Sequence, residues 1–534
     1  VRLVILHYHL RPGGIRRVIE LATPQLVRMA PERVTRVVLA TGQRANRAWH
    51  EHFARQFPGV KVEVLVEPAF NYLSEQRGTI GRITAGIRRG LDRLLANGGT
   101  ENHLVWTHNP GVGRNLILAR ETAAACARRG IPLVAHHHDW WFDNRWTRWP
   151  EMRRSGIRTL GSAARVVFPQ ADNVIHVAIN QADATILTKH LGNRALWLPN
   201  LNEPKPGPAA AQVGATQRWL RAKLGQDKAP VWLLPCRTLR RKNIAEALLL
   251  TRWLRPEAWL VVTGGASSAE EQPYQRALQQ AARQQRWRLR IGVLAKNDPH
   301  SPTVSEMFAA SEAALLTSVQ EGFGLPYLEA AAAQRPLIAR RLPNIAPDLK
   351  RFGFRFPQMY DEILIAPELF DWNGEAARQR KLLRTWVASM PKAVRGLVKE
   401  PVLLAAAQPR PIAFSRLTLT AQLEVLANPP SDSWTAGAAL NPWLEDWRAR
   451  AGSQQLRATP WPGTARTWLS GETYARRFHV ALARRTSRRA ARTRHPVGEE
   501  WSPRPGPATR IQAEFIRQKL DEKNLHPILW SQLE

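Results

Sequence analysis

The chain has 534 residues, 44% of them apolar, and 77 Lys and Arg against 43 Asp and Glu give a net charge of +34. That length exceeds what one hydrophobic core organises and implies about three domain-sized units. No apolar run reaches the roughly 18 residues of a membrane-crossing helix, and two cysteines provide no disulfide framework and suit a reducing compartment.

Cys126 and Cys236 each fall within an apolar pattern and read as buried thiols. The first residue is Val, which leaves a fragment and a GTG start equally open. The opening apolar run is short and lacks a cleavable small-residue site, so no signal peptide is expected. The expected place is the cytoplasm, with the inner membrane face as an alternative. Basic residues are spread over the chain, with one dense cluster, RRTSRRAARTRH, at 484–495. Zinc-finger spacing, a basic region ahead of heptads and an aromatic RNA-binding signature are all missing, so nucleic acid is not the expected partner. An anionic membrane face, an anionic substrate and an arginine-rich solvated surface remain open.

Apolar runs predict strands near 2–7, 36–41, 60–66, 103–107, 131–136, 174–179 and 195–198, with helices between them at 14–29, 78–96, 114–129 and 181–190. Such alternation is the signature of parallel strands covered by helices on both faces. LNEPKPGPAAAQVGA, 201–215, reads as a linker. A second series follows, with strands near 231–236, 258–263, 288–294, 313–317 and 336–341, and helices at 243–254, 269–285, 303–310 and 325–334. The fold class is therefore α/β: two Rossmann-like doubly wound domains, 1–200 and 216–350, facing across a cleft at the carboxyl ends of their strands. Residues 351–534 form a mainly helical and irregular extension, with helical patterns near 374–390, 411–427, 470–492 and 509–523. Its Trp434, Trp443, Trp447, Trp461 and Trp468 read as filling of an irregular core, with stacking on sugars as the alternative.

Chemistry concentrates in four segments. LLTSVQEGFGLPYLEAAAA, 315–333, ends a strand, turns through Glu321, Gly322, Phe323 and Gly324, and opens a helix at Pro326. Glu321 just before the helix and Glu329 about one turn inside it can face one cleft at different depths, and the helix start favours a diphosphate or sugar hydroxyls. VWLLPCRTLRRKNIAEALLL, 231–250, places Arg237 and Lys242 around a strand-to-helix turn, a fork and a point charge suited to one anion. LHYHLRPGGIRRVIE, 6–20, sets Gly13 and Gly14 between the first strand and first helix, where backbone can approach a ligand closely. LVAHHHDWW, 133–141, ends a strand in His136, His137 and His138, of which alternation puts His136 and His138 on one face. His108 and Asn109 in VWTHNPGVGRN end a further strand; an acceptor contact and a helix cap are both open. A metal at the histidine triplet is not expected, because adjacent strand residues point to opposite faces.

EGFGLPYLE resembles the Glu-x7-Glu motif of retaining glycosyltransferases with the GT-B fold, in the group of glycogen synthase and the phosphatidylinositol mannosyltransferases. CRTLRRKN resembles that group's Arg-x4-Lys motif, LRPGG its N-terminal Gly-Gly loop, LVAHHHDWW its His-Asp strand end, and the resemblance covers roughly residues 1–345. It implies transfer of a hexose from a nucleotide diphosphate sugar to a sugar, lipid or small-molecule acceptor. It implies Glu321 at the donor sugar, Arg237 and Lys242 at the diphosphate, and Glu329 at the ribose. It further implies Gly322, Phe323, Gly324 and Leu325 as the donor-binding backbone, His138 on a sugar hydroxyl, and Gly13 and Gly14 against diphosphate and acceptor. No cofactor is expected, and no metal if the two cations hold the diphosphate. A non-catalytic polyanion- or nucleotide-sugar-binding protein on the same fold is the alternative.

Overall fold

A computed structural model of the protein describes residues 1–96, 102–266, 268–294, 300–492 and 506–530; the side chains of 484–492 are not included. The chain divides into two compact units, one of Val1–Asn202, Ser389–Arg395 and Arg466–Lys519, the other of Glu203–Ala388, Gly396–Ala465 and Leu520–Glu534.

The first unit is built on seven parallel strands: β1 (Arg2–Leu6), β2 (Arg36–Thr41), β3 (Lys61–Val66), β4 (His103–His108), β5 (Leu133–His137), β6 (Val174–Ala178) and β7 (Ala195–Trp197). Their order is β3-β2-β1-β4-β5-β6-β7. Each predicted strand is present to within about two residues. Burial explains why they were visible. Leu3 and Ile5 of β1 join Val37, Leu39, Trp106 and Val134 in one core, while Val4 and Leu6 join Val38, Ala40, Val105 and Ala135 in the core on the other face. A strand buried on both faces must be apolar throughout.

The second unit carries six parallel strands: β8 (Val231–Leu234), β9 (Trp259–Val262), β10 (Leu289–Ile291), β11 (Ala313–Leu316), β12 (Leu337–Arg340) and β13 (Gln358–Tyr360), ordered β10-β9-β8-β11-β12-β13. In both sheets the strand order reverses once, between β1 and β4 and between β8 and β11. Ligands of open α/β sheets bind outside the carboxyl ends of the strands at such a reversal. The four chemistry-bearing segments lie at or beside these two points.

The structure differs from the sequence reading in three places. The expected linker 201–215 turns helical halfway, at Ala210–Lys223. β13 lies beyond the expected 350 boundary. The stretch 428–468, which shows no clear period, contains the helices Pro430–Leu440, Trp443–Gly452 and Gly463–Trp468. Its tryptophans pack internally: Trp443 stacks on Tyr360 at 5.8 Å and meets Trp447 edge-on at 4.5 Å, Trp461 meets Phe354 edge-on at 5.2 Å, and Arg448 lies 4.3 Å over Trp434. Trp468 lies against Trp197 in the first unit, at 5.1 Å.

Two late segments complete the first unit. The helix Gly471–Arg492 inserts Tyr474, Ala475 and Phe478 into the core that holds Trp106, and Leu26 O accepts a hydrogen bond from His479 Nε2 at 3.0 Å. The helix Pro507–Lys519 sets Phe515 4.8 Å from Trp140, and Lys519 Nζ meets the buried Asp143 carboxylate at 3.0 Å. The basic cluster 484–495 lies outside the described side chains. No described helix is long and apolar enough to cross a membrane.

Candidate active site

In the second unit the loop after β11 and the turn after β8 close on one carboxylate. β11 is followed by Thr317, whose hydroxyl donates to the carbonyls of Lys242 and Asn243 at 3.0 and 3.1 Å, so the two loops are tied at their base. Asn243, in the left-handed region at φ 47, turns the chain into the helix Ile244–Leu254. Just ahead of it the 3-10 turn Arg240–Lys242 sends three consecutive cations in different directions. Arg240 turns to Glu271, at 2.9 Å, and to the carbonyl of Glu270, at 2.8 Å. Arg241 and Lys242 turn to Glu321.

Glu321 is 8% exposed and both its oxygens are engaged. Oε1 receives Lys242 Nζ and the Ser318 hydroxyl, the latter at 2.6 Å. Oε2 receives Arg241 Nη1 at 2.8 Å, and Asn344 Nδ2 donates to the Glu321 carbonyl at 2.8 Å. Burial alone would push this carboxyl up; Lys242, then Arg241, then the hydrogen bonds from Lys242 and Ser318 outweigh it and hold the pKa down at about 2. The site therefore keeps a fully ionised carboxylate in a buried setting, the form that can accept sugar hydroxyls and favour positive charge nearby.

Lys242 thus stands beside Glu321, and Arg237 lies at the start of the same turn. It is exposed, its backbone close against Gly264, where an added Cβ would lie 3.0 Å from the Arg237 Cα. Its charge still reaches Cys236, together with those of Lys242, Glu321 and Arg241, while burial is the main cause that pushes the Cys236 thiol up to about 12. Gly322, Phe323 and Gly324 form the turn into the helix Leu325–Ala332, with Gly324 at φ 77 as its N-cap and Pro326 in its first turn. Glu329 lies one turn inside that helix, half-buried. Of the segment 291–295, expected to read the base through its backbone, residue 295 lies outside the described residues.

Gly324 is required by the fold itself. A Cβ there would sit 2.7 Å from Tyr327, in a backbone conformation that disfavours L side chains. Gly324→Ala is expected to lower stability by about 1–3 kcal/mol, read by urea denaturation; a loss under about 0.5 kcal/mol would contradict this. Gly13 and Gly14 are the opposite case. Gly13 has extended backbone, Gly14 begins the helix Gly14–Arg28, and both are exposed. An added Cβ at Gly14 meets nothing within 4 Å, and at Gly13 only the Arg11 carbonyl at 4.0 Å. Neither conformation nor internal packing demands glycine at these positions.

In the first unit the ends of β1, β4 and β5 gather histidines. His136 and His138 share a face, as alternation predicts, with ring centroids 4.5 Å apart, while His137 points the other way and stacks on His176 at 5.4 Å. His108 Nδ1 lies 3.1 Å from His138 Nε2, and His7 Nδ1 lies 3.2 Å from the His108 carbonyl. Burial lowers all of them: His7 to about 3, His138 and His176 to about 4, and His108, His136 and His137 well below the ordinary imidazole range.

Asn109 uses its side-chain oxygen to tie two strand ends together. It sits in the left-handed region at φ 59, its Oδ1 accepts the N–H groups of His138 and Asp139 at 3.2 and 3.0 Å, and its own N–H donates to the His136 carbonyl at 2.6 Å. It is a stitch between two strand ends that fixes where His138 points. His108, 1% exposed, is likewise buried behind that end.

His108, His136 and His138 each bring a ring nitrogen within 4.8 Å of the others, close enough to ask whether they fit a metal. Trp106 Nε1–H donates to His136 Nδ1 at 3.2 Å. A neutral His136 then carries its proton on Nε2 and has no lone pair left for an ion, so this donor set does not fit one.

Among the residues of the site, Arg241, Ser318, Asn344, Gly264 and His7 were not singled out from the sequence. Arg241 had a signal, three adjacent cations before a helix, but only the turn geometry says which of them meet the carboxylate.

Two doubly wound parallel sheets, one presenting a charge-compensated glutamate at a glycine turn and helix start, place the chain in the class of two-domain Rossmann-like α/β proteins. Residues 217–352 match the model of the family described as glycosyl transferases group 1, a segment that holds Arg237, Lys242, Glu321 and Glu329. The mannosylglucosyl-3-phosphoglycerate synthase of Petrotoga mobilis is 27% identical over 290 residues, which is 52% of this chain and 54% of that protein. The chain thus spans about half the length of that curated relative. Among solved structures, Anabaena HepE in complex with UDP and glucose aligns over 90% of this chain and 99% of its own, at 15% identity and a TM-score of 0.47. WaaG, a glycosyltransferase involved in lipopolysaccharide biosynthesis, aligns over 88% of this chain and 100% of its own, at 16% identity and a TM-score of 0.43.

Proposed function

We propose that this protein is a retaining glycosyltransferase of the GT-B type, moving a hexose from a nucleotide diphosphate sugar to an acceptor hydroxyl. The observation that carries the reading is the buried, ionised Glu321 beside Lys242, where a glycine turn meets a helix start. The family match over 217–352 supports it. In this reading Glu321 accepts hydroxyls of the donor sugar and favours the positive charge that grows at the anomeric carbon. Lys242 and Arg237 take the charge of the departing diphosphate without a metal, and the backbone of Gly322–Leu325 adds donors. Glu329 holds the ribose, and His138, neutral and aimed by Asn109, meets a sugar hydroxyl. The leaving phosphate oxygen takes the acceptor proton on the face it has just vacated, which retains configuration.

The acceptor is open, and we take an anionic one first. The relative is named as a synthase of a phosphoglycerate glycoside, and a net charge of +34 favours anionic ligands.

A thermal-shift screen of UDP-, GDP- and ADP-sugars tests the donor reading, because a ligand held at 100 times its Kd stabilises by about 2.7 kcal/mol. One nucleotide series is expected to raise the melting temperature, and no response to any of them would overturn the reading. Gly14→Val extends the test. The fold leaves room there, so its melting temperature is expected within about 2 °C of wild type while turnover falls at least tenfold. Unchanged turnover would remove the Gly-Gly loop from the site.

A further inference from the structure

Glu321 is held by two cations, and the two are held differently. Arg241 is fixed to the 318–321 loop three times over. Its Nη1 reaches Glu321 Oε2 at 2.8 Å and the Gln320 carbonyl at 2.9 Å, and its own carbonyl accepts the Val319 N–H at 2.9 Å. The Lys242 side chain reaches Glu321 through its ammonium alone, a point charge on a flexible four-carbon stem.

A diphosphate arriving at this turn competes for Lys242. Were Lys242 the sole counter-ion, its departure would leave a buried carboxylate beside new negative charge, and Glu321 would take up a proton. A protonated Glu321 could neither favour a developing cation nor accept hydroxyls at both oxygens.

We propose that Arg241 is a positioning residue that stays on Glu321 as its fixed counter-ion while Lys242 turns to the diphosphate of the donor. This rests on the reading of Glu321 and Lys242 as donor-binding groups. It divides the basic turn into three tasks: Arg240 ties the turn to Glu271, Arg241 keeps the carboxylate ionised, and Lys242 exchanges between carboxylate and ligand.

The division can be measured without turnover. Calorimetric titration with inorganic pyrophosphate at pH 6.5, in buffers of different ionisation enthalpy, counts the protons taken up on binding. Wild type and Arg241→Lys are expected to give the same count. Arg241→Gln is expected to take up about half a proton more, and the excess is expected to vanish in the Arg241→Gln, Glu321→Gln double variant. Equal counts for wild type and Arg241→Gln would overturn the proposal. Where Arg241→Gln does not fold, wild type against Glu321→Gln decides. Equal counts are expected there, and an uptake seen only when Glu321 is present would show that the carboxylate is not kept ionised. Failure of the wild-type protein to bind pyrophosphate at all is a separate result, which removes the diphosphate pocket and the donor reading together with this inference.

Discussion

Acidification from pH 6.5 towards 4 is expected to unfold the first unit before most of its carboxylates titrate. His7, His108, His136, His137, His138 and His176 are all buried in that unit, and burial lowers His7 to about 3, His138 and His176 to about 4, and the other three well below the ordinary imidazole range. In the unfolded chain each takes up a proton near the ordinary value of 6.5. The unfolded state therefore binds more protons throughout this window, and stability falls as pH falls. At pH 5 the linkage is about 2 kcal/mol for each of His7, His138 and His176, and His108, His136 and His137 add to it in the same direction, against a total domain stability of about 5–15 kcal/mol. A cooperative loss of near-ultraviolet circular dichroism between pH 6 and 4.5 is the expected result. The glutamate site of the second unit has the same sign but a lower pH window. Glu321 is depressed to about 2, so its contribution is fully present above the ordinary carboxylate range and is lost only in stronger acid. A first unit that keeps its tertiary signal at pH 4.5 would show that water or rearrangement satisfies those rings.

The second large effect is expected at Glu321. Glu321→Gln removes the charge facing Lys242 and Arg241, both of which have side chains less than one-third exposed. Breaking a buried pair by removing one partner costs about 3–5 kcal/mol, or roughly 10 °C in melting temperature for a unit of this size. Turnover is expected to fall by a further factor of about 10² to 10³ when measured well below the new melting temperature. The Michaelis constant for the donor is expected to change far less, because the lost interaction grows with charge at the anomeric carbon. The two losses separate by temperature, since restoring the folded population does not restore the chemistry. A folded Glu321→Gln protein with turnover within tenfold of wild type would take Glu321 out of the reaction and favour a binding protein on this fold.

What the sequence makes legible follows from burial. The central strands, β1, β2, β4 to β6, β8, β9, β11 and β12, are covered on both faces and read as apolar runs because no polar alternation is allowed there. β13, three residues at a sheet edge, contains Gln358 and offers no such run. The helix Ala210–Lys223 hides in a composition of Ala, Gly and Pro that also suits a linker, and it buries little beyond Thr216 and Leu220. The helices between 430 and 468 are short and dominated by tryptophans that pack in several directions, so no period of 3.6 emerges.

The candidate site divides in the same way. Glu321 and Lys242 are readable because glycine and proline punctuation fixes their place between strand and helix. Arg241 is not, because Arg240, Arg241 and Lys242 look alike until the turn that ends at Asn243 assigns each a direction. Asn109 is a residue for which the sequence leaves two roles open. A polar residue at a strand end looks available to a ligand, but its left-handed backbone and three hydrogen bonds commit it to holding His138.

The first unit takes its aromatic packing from both ends of the chain. Trp106 and Trp140 belong to strand ends made early, while Phe478 and Phe515, which cover them, come from residues 471–519. During synthesis the opening 202 residues leave the ribosome with the sides of those indoles that face Phe478 and Phe515 not yet covered by them. At about 5–20 residues per second, roughly 15 to 50 s pass before their cover is made. The first unit thus completes its core on a timetable that the second unit, whose sheet is translated in between, does not share.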